Sequence, residues 1–404
     1  MPDESSSVLS GLVVLDLTEN RGLYAGKMLA DLGADVIKIE KPVGSEARRI
    51  GPYKDDIPGP ENSLYFINFN TNKRGITLNM EGPEGRDIFK QLVKRTDILV
   101  EDSEVGVMQS LGLDYPSLQE LNPSLIMAAV TGFGQTGPYN TFKAPDIVSF
   151  AMGGLMNVNG PGDAAPVVAP CEQSHYSASI VSVFGIMAAL LLRSTTGEGQ
   201  LVDASAHEIT ATLTGGIMPY SNTSQIARRN GSQFGAVPGR IFPCKDGYVH
   251  ILTIRPNHWV GFLEVVKMAS PDISLIIGEE WYDAGFRNRN VDIIDALVTE
   301  FTMAHNKMEI TEMCQAKDVP CTPVNTTADF AADPHIKERD FFIQIEHPVI
   351  GQHTYLRPPY RLSKTPCSIN RPAPLLGQHN RDVYCDELGY SSDELSKLKA
   401  GGII

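Results

Sequence analysis

An imidazole opens the longest apolar stretch of this chain. His175 precedes the run Ile180–Leu192, and Gly197, in the turn TTGEGQ, follows it by 22 positions. Imidazole titrates near neutral pH, so His175 is equipped for proton transfer. The alternative is a hydrogen-bonded histidine at a helix start, without chemistry. Glu172, one helical turn upstream, is the nearest carboxylate. Asp146, in KAPDIV, is placed either to cap a helix by accepting backbone N–H groups or to serve a site. Lys41 and Lys143 are either plain surface lysines or anion contacts. The six cysteines (Cys171, Cys244, Cys314, Cys321, Cys367, Cys385) form no CxxC pair. With no metal-like histidine spacing either, reduced thiols and no metal are expected.

These side chains need a frame. GLVVLDL, YAGKMLADLG and ADVIKIE over residues 11–40 predict strand, helix and strand. So compact a unit implies parallel strands joined by a right-handed crossover. Ligands of such sheets lie beyond the carboxyl ends of the strands, which points to Thr18–Gly22 and Lys41. The turn DLTENRG lacks GxGxxG, so a dinucleotide site is not expected. The pattern continues with a strand at 75–80, a helix from Pro83 to Lys94, and strands at 97–102 and 124–134. The helix near 176–193 is apolar on nearly every face, which predicts burial on all sides.

Residues 219–240, with Pro219, Gly231, Gly235, Pro238 and Gly239, predict a linker or loop. A strand at 247–254 and helices within 292–317 then predict a second α/β unit. The proline-rich tail after about residue 328 is expected to wrap an existing surface without forming core. At 404 residues, 42% hydrophobic and 20% charged, the chain is globular and long enough for two domains. A net charge of −14 disfavours nucleic acid as a partner. MPDESSSV does not resemble a signal peptide and Ile180–Leu192 is too short to span a bilayer, so no membrane association and a cytoplasmic location are expected.

Seven blocks in order, GLVVLDLT…LADLGADVIKIEKP, SLYFINFNTNKRGITLNM, DILVED, VTGFGQTGPY, GIMAALLLRSTTGEGQLVDAS, CKDGYVHI and APLLGQH, resemble the class III CoA-transferases, the CaiB/BaiF family. The resemblance implies an α/β fold: a Rossmann-like large domain at 1–205 completed by 328–404, a small α/β domain at 225–325, and two chains interlocked as rings. It implies no bound cofactor, the coenzyme A thioester being substrate. In such transferases an aspartate attacks the acyl-CoA, and its carboxyl then carries CoA as a thioester to the acceptor acid. An imidazole accepts an acyl group but cannot become the carbonyl half of a CoA thioester. By resemblance the aspartate precedes the turn glycine by 22 positions; 197 − 22 is 175, and the residue there is histidine. Glu172 would substitute only if placed to within about an ångström.

For CoA, the resemblance implies contacts from Lys41, Leu78 and Lys143, with Asp146 orienting the reacting groups. The segment VEDSEVG departs from the family pattern: Asp102 and Ser103 replace an amide and an aromatic, Ser110 stands for an arginine, and Asp102 would set negative charge near a polyanion. A mobile glycine loop around 231, 235 and 239 is also implied. Three functions remain open. The chain is the aspartate-lacking subunit of a heteromeric CoA-transferase, such as succinyl-CoA:benzylsuccinate CoA-transferase, with a catalytic paralogue as partner. Alternatively it is an acyl-CoA racemase or isomerase using His175 as base, or a non-catalytic acyl-CoA-binding protein.

Overall fold

Short apolar runs closed by Asp, Glu, Thr or Ser become six parallel strands in the larger of two units. The computed structural model describes residues 7–215, 236–269 and 274–404, with 220, 222–224, 226 and 229 between the first two spans. One unit comprises Met1–Asn159, Pro166–Ala227 and Glu338–Ile404, and the other Gly160–Ala165 and Arg228–Lys337. Gly231 and Gly235 of the expected loop, and Pro219, lie outside the described residues.

In the larger unit, β1 (Val13–Asp16), α1 (Leu23–Asp31), β2 (Asp35–Glu40), α2 (Leu64–Phe69), β3 (Arg74–Thr77), α3 (Pro83–Val93) and β4 (Ile98–Glu101) come first. There follow α4 (Val107–Ser110), α5 (Tyr115–Leu121), β5 (Ile126–Thr131), α6 (Asp146–Met152), α7 (Gln173–Thr196), β6 (Leu201–Ser205) and α8 (Ala206–Thr214). The sheet order is β3-β2-β1-β4-β5-β6, with every neighbouring pair parallel. The order reverses between β1 and β4, and the crevice at such a reversal is where open α/β sheets bind ligands.

Successive strand residues point to opposite faces, so near-continuous apolar strands fill two cores. Val14, Val36, Ile98 and Ile126 pack with α1 and α7 on one face. Leu15, Ile37, Leu99 and Met127 pack with α3 on the other. Each such burial contributes about 1.5–3 kcal/mol. Gly26 lets α1 lie directly on β1, since a Cβ there would collide with the Asp16 carboxylate. Gly197, at φ +77°, closes α7 in the left-handed conformation glycine adopts without strain.

The smaller unit has an antiparallel sheet of Gly239–Cys244 (β7), Gly247–Leu252 (β8) and Cys321–Pro323 (β9). Helices Val291–Met303 and Lys307–Gln315 accompany it, and Trp259, Phe262 and Phe301 centre its core.

Two expectations are corrected. The helix α7 is not buried on all sides: Phe184 is 75% and Leu191 74% exposed. The face carrying Ala178, Val183, Ile186 and Ala189, with Met187 and Leu190 beside it, packs on the sheet and α1. The helix also extends to 24 residues, beyond the apolar run itself, and is by length and composition the one candidate bilayer span among the described residues. The proline-rich tail does form core. It folds as a hairpin, Phe342–His347 (β10) with Gly351–Leu356 (β11). Tyr355, Ile369 and Ala373 are buried against Phe66 and Phe69, and Val383, Tyr384 and Leu398 join the second sheet face. Proline excludes helix and ladder but not burial of the residues between.

Candidate active site

The β1–α1 turn is held from below by buried charge. Asp16 ends β1 with no exposure and accepts from Thr18 Oγ1 at 2.6 Å and Thr18 N at 2.9 Å. Lys73 Nζ lies 2.7 Å and Lys38 Nζ 3.4 Å from its oxygens, and Lys38 also donates to the Thr18 carbonyl. Burial alone would raise the Asp16 pKa, but the two ammonium groups hold it down at about 2. Burial beside these charges depresses Lys73 to about 8, against the pull of Asp16. Breaking such a network by removing one member costs about 3–5 kcal/mol, because an uncompensated buried charge remains.

From the other side the turn is held by Asp102. Its carboxylate accepts backbone N–H groups of Glu19 at 2.8 Å, Asn20 at 2.9 Å and Gly22 at 3.1 Å. It sits where an anion would sit on the N-terminus of α1, and it is 8% exposed. The sequence expects Asp102 to set negative charge near a polyanionic ligand; in the structure its oxygens are turned inward onto the chain's own amides. Glu101, beside it at the end of β4, is raised to about 7 by burial, against the hydrogen bond from Ser103 N–H, with Asp102 adding repulsion.

The turn so fixed presents Asn20 and Arg21 to the start of α7. Asn20 Nδ2 donates to Glu172 Oε1 at 3.4 Å. The Tyr65 hydroxyl lies 3.0 Å from Glu172 Oε2 and 2.9 Å from Asn20 Oδ1, one proton facing two acceptors. Burial and the neighbouring Glu172 charge push the Tyr65 phenol up, so it stays a donor. Ser179 Oγ donates to the Arg21 carbonyl at 2.7 Å. Glu172 precedes α7 at φ 45°, ψ 48°, and Cys171 is at φ 66°. Left-handed backbone at two consecutive non-glycine residues stores about 1–3 kcal/mol each, a mark frequent at functional sites.

His175 lies in the first turn of α7, 5% exposed, and neither ring nitrogen has a hydrogen-bond partner. Burial lowers its pKa, opposed by the charges of Glu172 and Asp146 and by the nearby Ala144 carbonyl. Burial thus favours the uncharged ring. With Asn20, Glu172, Tyr65 and Tyr176 it lines a cavity of about 10 Å3, room for at most one water. The arrangement offers a desolvated base beside a carboxylate already engaged by two partners.

Asp146 caps a helix, but not its own. Its Oδ1 accepts from Ser174 N at 2.8 Å, from the Ser174 hydroxyl, and from His175 N at 3.4 Å, so it neutralises the N-terminus of α7. Sequence reasoning brought His175, Glu172 and Asp146 to one place, and the structure places them there. None of the three CoA-assigned residues lines the His175 cleft, although Lys143 shares Glu104 with Arg21 of that cleft. The Lys41 side chain is 61% exposed and paired with Glu81 at 2.9 Å, and that of Lys143 is 81% exposed, 3.7 Å from Glu104. Leu78 is 1% exposed within the core. Asn20, Arg21 and Tyr65 escaped the sequence reading as individual residues. They belong partly to the turn Thr18–Gly22, where the strand-end rule expects a ligand, whereas nothing local ties Tyr65, 107 positions before Glu172, to it.

Comparison with known proteins gives this geometry a context. The chain matches CoA-transferase family III over residues 9–380. Formyl-CoA:oxalate CoA-transferase of Streptomyces coelicolor is 31% identical over 99% of this chain and 100% of its own length. The succinyl-CoA:(R)-benzylsuccinate CoA-transferase subunit BbsE of Thauera aromatica is 31% identical over 97% of each chain. Succinyl-CoA:mesaconate CoA-transferase of Haloarcula marismortui is 33% identical over 94% of this chain and 96% of its own length. A CaiB/BaiF family protein from Brucella suis superposes with a TM-score of 0.83 at 29% identity, over 94% of this chain and 99% of that one. The expected α/β fold with a parallel sheet is thus the fold of a known group, and the chain belongs to CoA-transferase family III.

Proposed function

We propose that this chain is the aspartate-lacking subunit of a heteromeric CoA-transferase and works with a paralogous chain that supplies the nucleophile. The observation that carries the reading is His175. A transferase of this type needs a carboxyl that is first acylated and then bears CoA, and an imidazole with no acid hydrogen-bonded to it cannot play that part. The neighbouring carboxylates are engaged: Asp146 caps α7, and Glu172 is shared by Tyr65 and Asn20. Phe184 and Leu191 on the open face of α7 add the apolar surface a second chain would cover. That one relative is itself named as a subunit agrees with this role.

The test is expression of the chain alone and together with a paralogue that has aspartate at the position of His175. Co-purification, with CoA transfer only from the pair, is expected; full transfer by the chain alone would refute the reading. One observation favours a second reading, the acyl-CoA racemase or isomerase: His175 is buried beside Glu172 and Asp146, and burial favours the uncharged, basic form of its ring. It predicts that the isolated chain exchanges the α-hydrogen of an acyl-CoA with deuterated water, and absence of exchange would exclude it.

A further inference from the structure

Beside the His175 cleft lies a second, larger chamber that shares three rings with it. It has a volume of about 360 Å3, the size of small-ligand sites, and is formed by α1, α2, the start of α7 and the segment Leu356–Tyr360. Tyr24, Phe69 and Tyr176 line both this chamber and the His175 cleft. These three rings pack mutually, Tyr24 edge-on to Phe69 at 6.1 Å and to Tyr176 at 5.9 Å. Phe341 and Tyr360 add two more rings.

Two of the chamber's charged groups are satisfied. Lys27 pairs with Asp31 at 3.1 Å and donates to Thr71 at 2.6 Å, while Asp31 accepts from Asn72 at 2.8 Å. Arg357 differs. Its Nη2 meets the exposed Asp340 at 3.2 Å, but its Nε is buried with no hydrogen-bond partner. A buried donor left unmatched is rare and calls for an acceptor. Five aromatic rings and one unmatched guanidinium N–H describe the two ends of one ligand class.

We propose that this chamber binds a small carboxylic acid bearing an aromatic ring, with the ring among Tyr24, Phe69, Tyr176 and Phe341 and the carboxylate on Arg357. Ring edges and faces favour an aryl group over an alkyl chain of equal area. A guanidinium holds a carboxylate through charge-assisted hydrogen bonds. Naming the ligand as the acceptor acid rests on the transferase reading; the binding itself does not.

The experiment is calorimetric titration of the full chain with phenylacetate, hexanoate and acetate. Phenylacetate is expected to bind at least tenfold more tightly than the other two. Ile180→Trp at the chamber rim and Arg357→Met should each weaken it tenfold or more, and Arg357→Lys should recover part of the loss. Circular dichroism of each variant separates lost binding from lost folding. No phenylacetate binding, binding indifferent to both Ile180→Trp and Arg357→Met, or hexanoate binding equally well would each overturn the proposal. If phenylacetate binds as described while no paralogue co-purifies, the transferase reading fails and the chamber stands; the converse result sinks the chamber alone.

Discussion

Replacing Asp102 by Asn separates two opposed accounts of that residue. The carboxylate accepts three backbone N–H groups, one on Oδ1 and two on Oδ2. An asparagine in the same rotamer keeps one acceptor oxygen. Its better orientation retains Asn20 N–H and Gly22 N–H and turns an NH2 group against the Glu19 N–H. One charge-assisted bond is lost, at about 1.5–3 kcal/mol, and two become neutral, each weaker by about 1 kcal/mol. Loss of negative charge at the α1 N-terminus adds about 0.3–1 kcal/mol. Relief of carboxylate desolvation offsets part of this, leaving a net destabilisation of about 2–4 kcal/mol. The assay is urea unfolding, in which the midpoint falls at unchanged slope. Coenzyme A titration of the folded variant gives the second measurement. An inward-facing carboxylate predicts the same affinity within about twofold, whereas one facing the CoA phosphates would relieve repulsion and tighten binding by about tenfold. An unchanged midpoint with tighter CoA binding would refute the anchoring role and restore the charge-repulsion account.

Glu101, raised to about 7, binds a proton that the unfolded chain, near 4.5, has already lost, so it makes stability fall as pH rises between those values, by about 3 kcal/mol in full. Glu101→Gln should flatten that slope, and a slope identical to the parent in urea unfolding at pH 5, 6, 7 and 8 would contradict the assignment. His175→Asp should give the isolated chain a hydroxylamine-sensitive enzyme–CoA adduct when supplied with acyl-CoA, detected by mass spectrometry; no adduct from a folded, CoA-binding variant would show that the position is not where the reaction occurs. Phe184→Asp with Leu191→Asp should abolish co-purification with the paralogue while leaving the monomer's circular dichroism intact, since both side chains are about three-quarters exposed. Retained co-purification would place the interface elsewhere.

Local pattern was enough for four of the six sheet strands; β3 starts one residue before the expected run, and β6, at Leu201–Ser205, was not expected. Val13–Asp16, Asp35–Glu40, Ile98–Glu101 and Ile126–Thr131 fall inside the runs expected to be strands, because strands buried on both faces must be apolar throughout. The same logic failed for α7. An all-round apolar helix is compatible with burial by its own chain or with a face left for another, and composition does not distinguish them. The burial of the tail is hidden from the sequence for a related reason: proline density reports on backbone conformation, while Tyr355, Ile369 and Tyr384 enter the core through partners hundreds of residues away.

The change at position 175 was legible in the linear chain, since one helix of fixed length joins it to Gly197. Sequence spacing along a continuous helix fixes relative position, and no fold is needed to see which side chain stands there. The roles of the carboxylates were not legible. Asp146 and Asp102 are each compatible with a site, a cap or solvent until it is known whose N–H groups they meet, 28 and 80 or more residues away. Those partners are set by strand order and helix packing, so only the tertiary structure decided which charges remain free for chemistry. That Glu172 shares Tyr65 with Asn20, and that the imidazole stands buried without a partner, follow from three segments converging on one point.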